Sequence, residues 1–286
     1  MDNHLKKLEL ESINIIREVC STNSIEDIVV LYSIGKDSSV MLHLFEKAFY
    51  PQRIPVKFMH IDTGWKFREM YEFRDKISQK VDIITYKHSA NLNPYTDGRR
   101  YTDIMKTEAL KLALKENNFK IAFGGSRRDE EKSRAKERIV SIRDENSRWE
   151  PRTQNPEISP LYNTFLTEKT SLRIFPLSNW TELDIWEYIK SENIEVVPLY
   201  FSAQRRVEQL ENGMYIATEN ETGELKHVRF RTLGCYPLTG AVLSEAETLD
   251  EIILELKSAR YTERITRVID YDAEGSMELK KREGYF

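Results

Sequence analysis

The sequence predicts an α/β fold built on a doubly wound parallel sheet. Two observations support this prediction. First, short apolar runs rich in β-branched residues alternate with segments of helical spacing, which is the order found in parallel sheets buried on both faces. Second, three of these runs end in polar or glycine-containing turns, and open parallel sheets bind their ligands where the strands end.

Four strands are predicted in the first half of the chain, each a short apolar run. They lie at residues 28–32, 56–61, 81–86 and 121–123. The segments between them have apolar residues at the spacing of an amphipathic helix. The expected helices are residues 5–20, a segment that starts at Val40, the stripe of Phe67, Met70, Phe73 and Ile77, and residues 103–116. Asp103 is the expected N-cap of the last helix, because aspartate accepts hydrogen bonds from the amides of a helix start.

The regular alternation weakens after about residue 140. Three prolines and many polar residues predict a loop-rich excursion over 143–171. The elements expected beyond it are a strand at 173–175, a helix at 184–192 with a capping box at 181–184, a small hairpin within 202–232 and a helix at 249–259. The charged tail to Phe286 has no clear period. We therefore predict one α/β domain at 1–195 and an irregular C-terminal extension at 196–286 that is not an independent domain.

Composition excludes several classes of protein. The 286 residues have a formal net charge of -4, so the chain is not a globally basic nucleic-acid-binding protein, and any anion site must be a local cluster. No apolar run approaches the roughly 18 residues that a membrane helix needs. The two cysteines, Cys20 and Cys235, form no CxxC pair, and the five histidines show no metal-binding spacing. We expect a cytoplasmic protein without a resident metal, a nucleic-acid partner or a membrane partner.

The most informative turn lies between the first strand and the helix after it. A helix start offers backbone amides without helical acceptors and the positive end of the helix dipole, and glycine at position 35 permits a tight turn. The candidate phosphate-binding residues of this turn are Ser33, Gly35, Lys36, Asp37, Ser38 and Ser39. It is not a Walker A loop, because Val30 and Asp37 stand where that motif has glycine and a hydroxyl residue. An ordinary capped helix explains the spacing alone equally well.

Asp62 follows the second predicted strand directly. At that edge of an open sheet it would contact the ribose or adenosine part of ATP, either directly or through a metal. Taken alone, Asp62 is better explained as a helix N-cap.

The turn after the fourth strand is rich in glycine and arginine. Its candidate residues are Gly124, Gly125, Arg127, Arg128 and Arg134. Backbone donors and two adjacent guanidinium groups would suit a second oxyanion beside the first. Most charged residues between positions 127 and 152 are also explained by a solvated helix face with ion pairs four residues apart.

Cys235 is a candidate catalytic thiol. No histidine or lysine adjoins it in the sequence to lower its pKa. A small buried residue in a tight loop is therefore the favoured interpretation.

Taken together, the motifs resemble a known family. Residues 33–38 resemble the pyrophosphate loop of the N-type ATP pyrophosphatases, which have an adenine nucleotide alpha hydrolase-like fold. The more specific matching blocks are 62–70, 124–134, 175–182, 229–235 and 275–286. In this order they resemble the small, ATP-binding subunit of bacterial sulfate adenylyltransferase, within the phosphoadenylyl sulfate reductase superfamily, over nearly the full chain. Residues 88–101 and 202–227 depart from the family pattern.

The resemblance implies that ATP and sulfate react to give adenylyl sulfate and pyrophosphate, the first step of sulfate assimilation. ATP is then a substrate, Mg2+ is expected to bridge its phosphates, and a GTPase large subunit is the expected partner. Lys36 would act on the two leaving phosphates. Arg127 and Arg128 would be catalytic residues that hold sulfate or the α-phosphate, with help from Arg134. Both reactants are anions, so catalysis would depend on positioning and charge neutralisation.

Three alternatives stay open. A reductase of adenylyl sulfate or its 3′-phosphorylated form resembles this fold, but it uses a C-terminal cysteine in a Glu-Cys-Gly-x-His setting that the tail lacks. A tRNA-modifying ATP pyrophosphatase would need a broad basic face, and the net charge of -4 counts against one. A nucleotide-binding regulatory subunit would have no activity without its partner.

Overall fold

One six-stranded sheet forms the centre of the fold. The structure, a computed structural model, describes residues 1–158, 162–258 and Lys281. The sheet contains β1 (Ile28–Leu31), β2 (Lys57–Asp62), β3 (Ile83–Lys87), β4 (Ile121–Phe123), β5 (Val140–Arg143) and β6 (Ser171–Ile174). Its strand order is β3-β2-β1-β4-β6-β5. All neighbours are parallel except β5, which runs antiparallel to β6 at one edge. The predicted doubly wound parallel sheet is confirmed, and β5 is a strand that the sequence did not predict.

Helices cover both faces of the sheet. Within the described ranges they are α1 (Asn3–Thr22), α2 (Lys36–Phe49), α3 (Arg68–Ile77), α4 (Gly98–Thr102), α5 (Ala109–Glu116), α6 (Lys132–Ala135), α7 (Glu182–Glu192) and α8 (Leu249–Ser258). Val30 of β1 lies in the larger core with Phe45 of α2. Its neighbour Val29 lies in the core of the opposite face with Leu110 of α5. Because successive side chains of a strand point to opposite faces, a strand buried on both sides is apolar along its whole length.

Two helical segments begin four or more residues before their predicted starts. Helix α2 begins at Lys36 rather than at Val40, so much of the predicted phosphate-binding turn is the first turn of the helix. The predicted N-cap Asp103 lies in helical backbone at φ -65° and ψ -42°. It begins a π-helical segment, Asp103–Glu108, that joins α4 to α5. The prediction for Asp103 is wrong because the helical backbone extends upstream to Gly98.

The capping box before α7 is confirmed. The Thr181 hydroxyl accepts from the Asp184 N–H at 3.1 Å, and the Asp184 carboxylate accepts from the Thr181 N–H at 2.8 Å. The helix itself begins two residues earlier than predicted, at Glu182. This cap fixes the start of α7.

The C-terminal extension contains a second β structure. Strands β7 (Ala203–Gln209), β8 (Tyr215–Ala217), β9 (Glu224–Arg229) and β10 (Gly240–Leu243) form a closed barrel in the order β10-β8-β7-β9. The predicted small hairpin is therefore too simple, because β7 pairs with both β8 and β9 and a fourth strand closes the barrel. The predicted helix end at Ala259 and the tail block at 275–286, apart from Lys281, lie outside the described residues. The domain boundary at residue 195 stays a prediction.

Candidate functional site

The turn between β1 and α2 has a strained backbone. Ile34 is fully buried and has φ 68°, a left-handed conformation that costs a β-branched residue on the order of 1–3 kcal/mol. Gly35 has φ -82°, so the expectation that its conformational freedom makes the turn is wrong. A Cβ atom at position 35 would be crowded, because it would lie 3.3 Å from both Ser33 Oγ and Tyr200 Oη. The Ser33 hydroxyl also donates to the Ser38 hydroxyl at 3.3 Å.

The first turn of α2 holds several of the predicted hydrogen-bond donors. The Lys36 N–H donates to the Tyr200 hydroxyl at 2.7 Å. The first bond within the helix runs from the Ser39 N–H to the Gly35 carbonyl at 3.0 Å. The hydroxyls of Ser38 and Ser39 donate to the same carbonyl at 2.8 and 3.2 Å. The amides before Ser39 have no acceptor within the helix and lie at its positive end, which suits an anion.

Three charged side chains meet at this helix start. Lys36 is 1% exposed, and its Nζ lies 3.2 Å from the Arg231 carbonyl oxygen and 3.5 Å from Asp37 Oδ2. The other carboxylate oxygen of Asp37 forms an ion pair with Arg127, whose side chain is fully buried. Gly125 permits this approach, because a Cβ atom on it would lie 3.1 Å from the Asp37 Cβ. Because β1 and β4 are adjacent and parallel, the turns that follow them meet at one edge of the sheet.

The two adjacent arginines contact different partners. Arg127 lies in the cluster just described, whereas Arg128 donates to the Asn179 side-chain oxygen at 2.6 Å and to Glu157 at 3.2 Å. The Gly124 N–H donates to the last residue of β6 at 2.8 Å and thereby extends the sheet. Arg127 therefore lies beside the start of α2, whereas Arg128 links the segments that carry Asn179 and Glu157. A substrate contact of either residue stays a prediction.

Arg134 belongs to a buried cluster of charges around Glu137. Its guanidinium group lies 3.7 Å from Glu131 and 3.6 Å from Glu137. Glu137 also accepts from Arg143 at 2.5 Å and lies 2.7 Å from Lys281 Nζ. Burial would raise the pKa of Glu137, but the charges of Arg143, Arg134 and Lys281 outweigh burial and lower the pKa to about 2. The solvated-face interpretation is wrong for Arg134 and Glu137, which are 6% and 4% exposed.

Asp62 lies at the carboxyl end of β2, at the predicted edge. One of its oxygens accepts from the Gly64 N–H and from the Tyr71 hydroxyl, both at 2.8 Å. Burial would raise the pKa of Asp62, but these two hydrogen bonds outweigh burial and hold the pKa below its usual value. Helix α3 begins at Arg68 with Phe67 as its cap residue. Asp62 is therefore not a helix N-cap, and it stabilises the turn in which Gly64 has φ 77°.

Cys235 packs against the same turn from the C-terminal extension. Its Sγ lies 3.3 Å from Thr63 Oγ1 and accepts from the Tyr101 hydroxyl at 3.2 Å. Burial would raise the pKa of the Cys235 thiol, but the positive charges of Lys106 and Lys66 outweigh burial and lower the pKa to about 7. The expectation of a small buried residue is confirmed. The expectation that no lysine lowers its pKa is wrong, because the fold brings distant lysines close.

Two residues at this edge were not predicted from the sequence. Tyr200 and Arg231 contact Lys36 across sequence separations of 164 and 195 residues. Arg231 is held in turn by Glu182, to which it donates at 2.5 Å. Arg231 lies in the block at 229–235 that resembles the family, so the sequence could have indicated it. No local sequence pattern indicates Tyr200.

Two absences hold for the described part of the chain. It contains no group of three or more histidine, cysteine, aspartate or glutamate side chains suited to a metal ion. It also contains no helix that is long and apolar enough to span a lipid bilayer.

Solved structures resemble this chain at low identity. The FMN adenylyltransferase of Candida glabrata, in complex with FAD and inorganic pyrophosphate, is 17% identical with a TM-score of 0.50, and the match covers 69% of this chain and 62% of that chain. The phosphoadenylyl-sulfate reductase of Candida auris is 16% identical with a TM-score of 0.48, over 70% of this chain and 90% of that chain. The first likeness supports the α/β fold and nothing further.

Sequence comparisons are more specific. The family model of the phosphoadenosine phosphosulfate reductase domain matches residues 27–241, which is more than half of the chain. Proteins named sulfate adenylyltransferase subunit 2 from Acinetobacter baumannii and Aliivibrio fischeri are both 55% identical to it. The alignments cover 99% of this chain and 97% and 98% of those proteins. The chain therefore belongs to the sulfate adenylyltransferase subunit 2 family.

Proposed function

We propose that this chain transfers the adenylyl group of ATP to sulfate, which forms adenylyl sulfate and releases pyrophosphate. The chain is a nucleotidyltransferase, because relatives that are 55% identical to it are named sulfate adenylyltransferase subunit 2. The observation that carries the proposal is the start of α2, where amides without an acceptor in the helix lie together with the Lys36 ammonium. Such a turn at a strand end fits the two phosphates that leave.

The reaction joins two anions. An oxygen of sulfate forms a bond to the α-phosphorus of ATP while the bond from that phosphorus to the departing pyrophosphate oxygen breaks. Negative charge grows on pyrophosphate, which we place against the first turn of α2. Lys36 is buried there, so its charge acts at a low local dielectric and in the same direction as the helix dipole.

Sulfate and the triphosphate are both anions, so sulfate needs a cation beside it that offsets their repulsion. We assign this role to Arg127, because its ion pair with Asp37 places it at the same turn. Arg128 and Arg134 have carboxylate partners elsewhere, and we assign them to support the segment that carries Arg127. A planar guanidinium group matches the geometry of a tetrahedral oxyanion.

Mg2+ is a further part of the proposal. Magnesium usually keeps several waters and binds through substrate phosphates and one or two carboxylates. Asp37 is the acidic residue of the turn, and its carboxylate already pairs with Arg127 and Lys36. Because both oxygens of Asp37 are paired with cations, this turn fits an ion that would be held by the substrate phosphates and waters rather than by the protein. When bound, magnesium supplies positive charge to the phosphate oxygens.

The partner is also proposed. The relatives are named subunit 2, which implies another subunit. We propose that it is a GTPase, because the anhydride of adenylyl sulfate is high in energy and its formation must be driven. This chain has neither a Walker A loop nor an Asn-Lys-x-Asp guanine-reading motif, so GTP hydrolysis would have to occur in the other subunit.

Exchange of labelled pyrophosphate into ATP tests the function. We expect exchange by the full chain to require sulfate and to rise when the GTPase partner and GTP are added. Exchange that is equal without sulfate would contradict the proposal and point to a different ATP pyrophosphatase. A parallel assay of thioredoxin-dependent reduction of adenylyl sulfate is expected to be negative, because Cys235 is followed by Tyr-Pro-Leu and does not stand in the Glu-Cys-Gly-x-His setting of the reductases.

Two adjacent arginine variants separate the candidate sulfate contacts. The sequence predicts a loss for both, whereas the structure favours Arg127 over Arg128. We expect Arg127→Lys to lower sulfate-dependent exchange about tenfold, because lysine keeps the charge but lacks the planar fork. Arg128→Lys should lower exchange by less than about threefold and mainly lower the melting temperature. Equal losses of exchange in the two variants would restore Arg128 as a substrate contact.

A further inference from the structure

Tyr200 belongs to the C-terminal extension but reaches the start of α2. It ends the short turn Pro198–Tyr200 that precedes the barrel, and its side chain is buried. Its hydroxyl accepts from the Lys36 N–H at 2.7 Å. The Trp186 ring packs edge-on against the Tyr200 ring, with centroids 5.2 Å apart and planes at 81°. The hydroxyl is therefore held in place by a packed ring.

The bond to Lys36 acts on the first amide of the helix. That amide has no acceptor within α2, and leaving a buried donor without an acceptor is costly. The contact is also close, since a Cβ atom on Gly35 would lie 3.3 Å from the Tyr200 hydroxyl. Ile34, which precedes Gly35, has the left-handed backbone at φ 68°. Tyr200 thus supports the part of the turn in which the backbone is strained.

We infer that Tyr200 is a positioning residue for the triphosphate of ATP. Its hydroxyl fixes the direction of the first turn of α2, so that the amides of Asp37 and Ser38 and the Lys36 ammonium point at the departing phosphates. This inference rests on the proposed function. It gives the C-terminal extension a part in nucleotide binding, because the residue that orients the turn comes from beyond the predicted α/β domain.

A competing role predicts the opposite result. If the Tyr200 hydroxyl merely occupied the place of a phosphate oxygen, its removal would release the Lys36 amide and tighten the binding of phosphates. If Tyr200 served folding alone, its removal would weaken all ligands together in proportion to lost stability. The sign and the ligand dependence of the effect therefore separate the three roles.

The experiment compares Tyr200→Phe with Tyr188→Phe in the full chain. Tyr188 is a matched control, because it is also buried and its hydroxyl donates to Glu9 at 2.5 Å. Calorimetry measures the Kd of inorganic pyrophosphate and of AMP, each with Mg2+, and melting curves measure stability. We expect Tyr200→Phe to raise the Kd of pyrophosphate about tenfold and to leave the Kd of AMP unchanged. We expect Tyr188→Phe to change neither constant.

Three outcomes overturn the inference: unchanged or tighter pyrophosphate binding by Tyr200→Phe, equal weakening of AMP and pyrophosphate, or the same pyrophosphate loss in Tyr188→Phe. The wild-type chain tests the proposed function separately. If exchange by the wild-type chain does not need sulfate, the proposed reaction is contradicted. The ratio of the pyrophosphate Kd of Tyr200→Phe to that of the wild type tests only the role of Tyr200.

Discussion

Replacing Lys36 with methionine is expected to lower sulfate-dependent exchange of pyrophosphate into ATP by roughly a hundredfold to a thousandfold. Methionine keeps most of the length of the side chain and removes the charge. Lys36 is buried at the positive end of α2, 3.2 Å from the Arg231 carbonyl oxygen. Its ammonium lies at the turn that we assign to pyrophosphate, so its loss should act on kcat. Initial rates of exchange at saturating ATP measure the effect.

Lys47→Met is the matched control on the same helix. Lys47 lies near the other end of α2, where its Nζ is 2.5 Å from Glu9 and 2.6 Å from Glu192. This variant should keep its exchange rate within about twofold, because Lys47 lies near the other end of α2. It should lose little stability, because partly exposed ion pairs contribute little to folding. Near-normal exchange by Lys36→Met, or equal losses in both variants, would contradict the role assigned to Lys36.

The position of the site could be predicted because the centre of the sheet is buried on both faces. Val29 and Val30 point into opposite cores, so no polar residue interrupts their run. The end of such a run marks the edge where parallel sheets bind ligands. The same reasoning located the turns after β1, β2 and β4, and the structure brings the first and last of these together through Asp37 and Arg127.

The contacts within the site could not be predicted in the same way. Arg127 and Arg128 are equivalent in the sequence, yet only the packed chain decides that Arg127 meets Asp37 and that Arg128 meets Glu157. Tyr200 reaches the turn across 164 residues. Hydrophobic periodicity reports which face of an element is buried, and it carries no information on which distant side chain is its partner.

The barrel and β5 were missed for a different physical reason. In β7, a strand of seven residues, Val207 is the single buried side chain, and β8 has three residues. Such strands give little alternation to detect. In β5, the buried side chains of Ser141 and Arg143 are polar, so the strand lacks the continuous apolar run that marks the central strands.

Glu137→Gln is expected to lower the free energy of unfolding at pH 7 by about 3–5 kcal/mol. Glu137 is 2.5 Å from the guanidinium group of Arg143, which is 1% exposed. Glutamine cannot balance that buried charge. Lys281 can respond by losing its proton, because burial lowers its pKa to about 8, but arginine cannot. The loss should therefore come mainly from Arg143, and urea unfolding of both proteins measures it.

Glu224→Gln provides the surface comparison. Glu224 lies 2.7 Å from Lys226, and its side chain is 73% exposed. An exposed ion pair contributes little to stability, so this variant should unfold at nearly the wild-type urea concentration. Losses of equal size in the two glutamine variants would show that burial of the Glu137 cluster has no energetic consequence.

The pH dependence distinguishes charge from shape at Glu137. Its pKa is about 2 in the folded chain against an ordinary value of 4.5, so the stabilisation is complete above about pH 4.5 and is lost as the pH falls towards about 2. A pKa difference of about 2.5 corresponds to about 3 kcal/mol. The gap in stability between wild type and Glu137→Gln should shrink as the pH falls from about 4.5 towards about 2. A gap that persisted to pH 2 would mean that Glu137 acts through packing and hydrogen-bond geometry, because by then the negative charge would be largely gone.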